Sequence, residues 1–161
     1  MTHVSIRPIT QEDDHLLRLC HDYSRQGELE SLGWSQEQRE LFLLTLYERQ
    51  RQLYHVHYDW SQFGIITLAE QDIGCLLINE HQEHIELIDF TLLPDFRGQG
   101  HARQIIHDLQ QQALSKGKAI KMMLSESNCG FDFYLKLGFT KQGKQGDAWV
   151  LIWQPTSAAV S

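Results

Sequence analysis

Residues 96–106 read FRGQGHARQII, with two glycines one residue apart just after an apolar run and just before a helical pattern. The preceding segment, IELIDFTLL at 85–93, is apolar and partly β-branched, so the glycines mark the handover from a strand to a helix. A helix start of this kind exposes unpaired backbone N–H groups and carries about half a positive charge. Glycine there lets a ligand approach the backbone without meeting a β-carbon, and the junction suits a phosphate. The plain alternative is a tight strand-to-helix turn that binds nothing.

What surrounds this segment limits the rest. The 161 residues suit one domain with one sizeable core. The 14 Lys and Arg against 21 Asp and Glu leave a formal charge of -7. With no basic cluster on such a chain, nucleic acid is not the expected partner, and an acidic surface agrees with an amine-bearing substrate. No stretch approaches the roughly 18 apolar residues of a membrane span, and MTHVSIRPIT has no signal-peptide pattern. A cytoplasmic protein that does not engage a membrane is expected. Cysteines 20, 75 and 129 are odd in number and form no C-x-x-C, so neither a disulfide framework nor a zinc site is expected. The histidine pairs 55 and 57, 81 and 84, and 101 and 107 lack a third ligand, and they read as surface residues rather than a metal site.

The element pattern is β-α-α-β-β-β-α-β-α-β-β. A strand at Val4–Arg7 precedes a helix opened by Thr10 with Asp13 three residues on. The polar stretch RQGELESLGW separates it from a second helix over about Ser35–His55, where Ser35 and Gln38 form a capping box. Phe42, Leu46 and Leu53 give that helix an apolar face expected to bury against a sheet. Three β-rich runs follow, FGIITLAE, IGCLLINE and IELIDFTLL, joined as antiparallel neighbours by the short connectors QD and HQEH. Then come a helix ending at Gly117, a strand AIKMML, a helix around GFDFYLKLG, a strand at Phe139–Lys141 and a last strand AWVLIW. No repeat or linker divides the chain, and the order predicts an α/β fold with a mixed sheet and helices on both faces.

Among phosphate motifs, G-x-x-x-x-G-K-[ST] is absent. A dinucleotide fingerprint fits poorly, because Arg103 takes the third glycine position and the nearest acidic candidate, Glu126, comes late. R-x-x-G-x-A remains, fitted by Arg97, Gly100 and Ala102. With LLPDFRGQGHA, the later NCGFDFYLKLGF and the opening VSIRPITQEDD, the chain resembles the GNAT superfamily of acetyl-CoA-dependent N-acetyltransferases from residue 4 to about 153. That resemblance implies a single N-acetyltransferase domain over residues 1–154, and the residues that follow, 155–161, read as a frayed tail. It also implies a mostly antiparallel sheet whose strands splay.

The resemblance further assigns roles. Backbone N–H groups of Arg97, Gly98, Gln99, Gly100, His101, Ala102 and Arg103 would cradle the acetyl-CoA pyrophosphate, with the Arg97 and Arg103 cations in support. Phe90 to Leu93, Leu92 and Leu93 among them, would pair with the pantetheine arm as a peptide adds to a sheet edge, and one N–H would polarise the thioester carbonyl. Asn128 would bond the same arm or cap the following helix. Tyr134 would protonate the departing thiolate. Glu86 would take the proton of the attacking amine, with Asp89 or a water as alternatives; strand alternation puts Glu86 and Asp89 on opposite faces. No metal is implied, nor a covalent step at Cys129. The acceptor is a small-molecule or protein amine, and the protein a monomer or homodimer. A domain that binds acyl-CoA as a sensor, without efficient transfer, is the rival.

Overall fold

The computed structural model describes residues 3–125 and 130–155. Those within Met1–Leu76 and Phe90–Arg97 form one compact unit, and those within Leu77–Asp89 and Gly98–Ser161 form another.

The first unit begins with β1 (Val4–Pro8), which continues one residue past the expected stop. Thr10 then caps a 3-10 turn at Gln11–Asp13 with a complete capping box, and α1 (Asp14–Glu30) follows. α1 thus runs through the first part of the stretch read from sequence as a polar connector. Ser35 and Gln38 form the second capping box and start α2 (Gln36–His57). α2 does not bury the apolar face expected from Phe42, Leu46 and Leu53. Leu43 and Tyr47 are its buried residues, whereas Phe42 and Leu53 are 37% and 51% exposed. Tyr47 Oη donates to Asp14 Oδ1 at 2.7 Å, and its ring meets His21 edge-on, which fixes α2 on α1.

β2 (Phe63–Leu68) pairs antiparallel with β1, Val4 opposite Leu68 and Pro8 opposite Gly64. β3 (Gln71–Glu80) starts after only Ala69 and Glu70, both with positive φ. The hairpin is therefore turned by Ala69-Glu70 rather than by the expected QD. A two-residue loop needs left-handed backbone at both positions to match the strand twist, and here it adopts that geometry without glycine. Arg7 ties the unit together. Its guanidinium reaches Asp13 at 2.7 and 2.9 Å and Asp72 at 3.1 and 3.2 Å. Asp13 is buried, and this contact holds its carboxyl below the usual range.

In the second unit, α3 (His101–Lys116) buries Ile105, Ile106, Leu109 and Ala113 at helical spacing. It ends at Gly117 with φ +67, the left-handed stop that glycine favours. Lys116 and Lys118 both bond the Glu80 carboxylate, at 2.9 and 2.6 Å. β5 (Ala119–Ser125), α4 (Phe131–Lys136), β6 (Thr140–Gln145) and β7 (Ala148–Trp153) complete the chain. The sixth strand lies later and runs longer than the expected Phe139–Lys141.

With β4 (His84–Leu92), the seven strands hydrogen-bond in the order β1-β2-β3-β4-β5-β7-β6. The sheet is mixed, since β4 and β5 are parallel while β5–β7 and β6–β7 are antiparallel. The β4–β5 ladder pairs His84–Leu87 with Ala119–Met122, although β4 continues to Leu92 and β5 to Ser125. Among the described residues no helix is long and apolar enough to cross a membrane.

Candidate active site

The turn from β4 to α3 passes from the first unit to the second between Arg97 and Gly98. On the first side, Leu93 begins a 3-10 turn at Pro94–Phe96. The Arg97 N–H donates to Pro94 O at 3.3 Å, so the backbone donor expected there is already engaged. The Arg97 side chain also turns back, and its Nε donates to Leu92 O at 2.8 Å. Leu93 N–H donates to Ile73 O at 2.8 Å. Since successive strand residues direct their polar groups to opposite sides, Phe90 and Leu92 turn their N–H and C=O groups away from β3.

On the second side, Gly98 and Gly100 have φ of +73° and +87°. A β-carbon added at either would touch nothing within 4 Å. Conformation rather than crowding therefore favours glycine at both positions, and the space above them is open to a ligand. Gly100 is the N-cap of α3 and accepts the first helical bond, from Gln104 N–H at 3.2 Å. Helix geometry then leaves the N–H groups of His101, Ala102 and Arg103 without intrahelical partners. Gly98, Gln99, Gly100 and Arg103 are exposed, and His101 and Ala102 are half-buried. An anion seated on this helix start would meet three donors and a favourable dipole.

Tyr134 is the buried residue of α4, with its ring edge-on to Phe133 and Phe139. Burial, and after it the charge of Asp89, pushes the phenol well above its usual range and keeps it protonated. The carboxylate that Tyr134 senses is thus Asp89, not Glu86. Glu86 lies 3.0 Å from His81 Nε2 and pairs in register with Lys121. His81 in turn stacks on His84, centroids 4.5 Å apart. Asn128, Cys129 and Glu126 lie outside the described residues, as do residues 156–161 of the tail. Among the described residues no three His, Cys, Asp or Glu side chains gather to hold a metal ion.

The sequence pattern of the acetyltransferase (GNAT) domain matches residues 20–155. This chain belongs to the GNAT acetyltransferase family. The fold agrees. PaiA N-acetyltransferase from Thermoplasma acidophilum, solved in complex with coenzyme A, is 19% identical, with 94% of this chain and 98% of that chain covered at a TM-score of 0.72. An acetyltransferase from Thermus thermophilus is 17% identical, with coverage of 94% and 97% and a TM-score of 0.67. The ribosomal-protein-S18-alanine N-acetyltransferase from Escherichia coli is 13% identical, with coverage of 97% and 95% and a TM-score of 0.64. No curated protein matches the sequence.

One candidate of this GNAT domain is sharpened by the structure and one feature escapes sequence reasoning. Asp89, an alternative base in the sequence, is a carboxylate whose charge reaches Tyr134. Gln110, a buried polar residue of α3, donates from Nε2 to Leu137 O at 2.8 Å and so holds the C-terminal end of the short helix carrying Tyr134. A glutamine among the buried positions of an apolar helix face was its only signal.

Proposed function

We propose that residues 1–154 act as one N-acetyltransferase domain that moves acetyl from acetyl-CoA to an amine within a ternary complex. The observation that carries this is the turn at Gly98–Arg103, with two left-handed glycines in open space before a donor-rich helix start, in a chain of the GNAT family. The N–H groups of His101, Ala102 and Arg103, with Gly98, Gln99 and Gly100 leaving room, would receive the pyrophosphate. The outward N–H groups of Phe90 and Leu92 would meet the pantetheine arm and polarise the thioester carbonyl. Leu93 contributes by anchoring the strand end on Ile73, and Arg97 by holding the Leu92 carbonyl.

In this reading the free amine attacks the carbonyl carbon, the carbon–sulfur bond breaks, and Tyr134 protonates the departing thiolate. Burial keeps the phenol protonated and so able to donate, although it makes Tyr134 a weaker acid than a solvated tyrosine. The amine proton leaves through water to Glu86 or to Asp89; His81 beside Glu86 would pass it on. Asn128 would add a bond to the pantetheine arm. Relatives in this fold include an enzyme named for acetylating a protein alanine, which supports a primary amine, on a metabolite or a protein, as the acceptor.

An amine panel scored by released free CoA tests the proposal. Tyr134→Phe is expected to lower kcat about 100-fold while acetyl-CoA affinity stays within about threefold. Equal turnover by the variant would remove Tyr134 from the chemistry. Acetyl-CoA binding without turnover of any amine would favour the sensor reading.

A further inference from the structure

Gly74 sits inside β3, in the apolar run IGCLL, with its backbone in the ordinary extended range. It is glycine for want of room. A β-carbon at this position would overlap Thr91 O and lie 3.0 Å from Leu92 Cα and 3.1 Å from Thr91 C. Neighbouring strands normally keep about 4.8 Å between backbones. The Thr91–Leu92 peptide is therefore drawn into space that any other residue of β3 would fill, a use to which strand glycines are often put. Three contacts define its position. Gly74 admits Thr91 O, Ile73 O accepts the Leu93 N–H on the same side, and Arg97 Nε holds Leu92 O on the other. The pinned peptide carries the outward Leu92 N–H itself and lies one residue beyond Phe90.

The geometry points to Gly74 as a positioning residue for acetyl transfer: by admitting the Thr91 carbonyl, it aims the outward N–H groups of β4 at the thioester. This rests on the acetyltransferase reading. Misplacement by about 1 Å of a group that orients a reacting bond costs on the order of 100-fold in rate. Adding one methyl group to Gly74 would displace Thr91 by a comparable amount. The pyrophosphate cradle begins at Gly98 and has no part in this contact. Binding of the nucleotide end and polarisation of the thioester end should therefore separate.

The test uses the full chain and two probes, ADP for the cradle and acetyl-CoA labelled with carbon-13 at the thioester carbonyl. In the wild type, the carbonyl stretch of the bound donor should fall below its value in solution. In Gly74→Ala, ADP affinity should stay within about twofold, acetyl-CoA affinity should fall about tenfold, and the carbonyl stretch should return toward the solution value. Equal losses for both probes, or an unshifted carbonyl in the variant relative to the wild type, would overturn the inference. Should Gly74→Ala not fold, Arg97→Met removes the hold on Leu92 O from the other side, and the same return of the carbonyl stretch is expected; no return overturns the inference. A wild type that binds neither probe would instead sink the donor-site reading itself.

Discussion

Gly74 in β3 and Gly100 at the head of α3 are both glycines, for opposite reasons. At Gly100 the backbone takes φ +87 and a side chain would meet nothing. At Gly74 the backbone is ordinary and a side chain would meet the main chain of β4. The first position is limited by conformation and faces open space, as a ligand cradle should. The second is limited by crowding and faces protein, as a support behind a site should. The contrast separates what contacts a ligand from what shapes the surface it contacts.

The largest effect should come from crowding. Gly74→Ala is expected to cost about 3 kcal/mol, near the upper end for overpacking because backbone rather than a flexible side chain must yield. For a chain of this size that is a fall in Tm of about 10 °C. A loss under about 1 kcal/mol in denaturant titration would break the comparison. Arg7→Ala supplies the calibration, since it releases Asp72 on the same strand without adding volume. It should cost about 2 kcal/mol, less than a fully buried pair because Arg7 is partly solvated. Gly100→Ala should cost only about 1 kcal/mol of left-handed strain, yet weaken acetyl-CoA about tenfold. A stability loss as large as that of Gly74→Ala would erase the distinction.

The smallest effect sharpens the comparison through pH. Crowding and strain do not titrate, so differences among these glycine variants should hold from pH 8 to pH 5. The common baseline should slope. His21 is buried in α1 against Tyr47, and burial pulls its pKa below the usual value, with Arg25 and Arg18 adding to the effect and Asp22 opposing it. The unfolded chain then binds the proton more readily, and stability declines as pH falls below about 6.5. His84, lowered by burial and by His81, acts in the same direction. Below about pH 4 a further loss should follow as Asp13, whose carboxyl is held low by Arg7, takes up a proton. His21→Gln should reduce the slope between pH 6.5 and 5 while leaving the acid limb; an unchanged slope would assign it elsewhere.

The parts of the fold written in backbone chemistry were legible. Both capping boxes, the Gly117 stop and the Gly98–Gly100 turn are read from residue types whose function is local. Position within the tertiary structure was not. α2 carries apolar residues around much of its circumference, so no periodicity could select Leu43 and Tyr47 for burial over Leu53 and Phe42. Strand alternation set Asp89 and Glu86 on opposite faces, but only the tertiary approach of α4 shows which carboxylate's charge reaches Tyr134. Gly74 passed unread within a β-rich run, because the main chain it makes room for is seventeen residues away in sequence and belongs to another strand.

The central claim is that the turn opening α3 binds the donor through its glycine-shaped backbone. Calorimetric titration with acetyl-CoA of the wild type and Gly100→Val measures it directly. One saturable site is expected in the wild type, with an affinity at least about tenfold weaker in a variant that still folds. Equal affinities in the two proteins would contradict it.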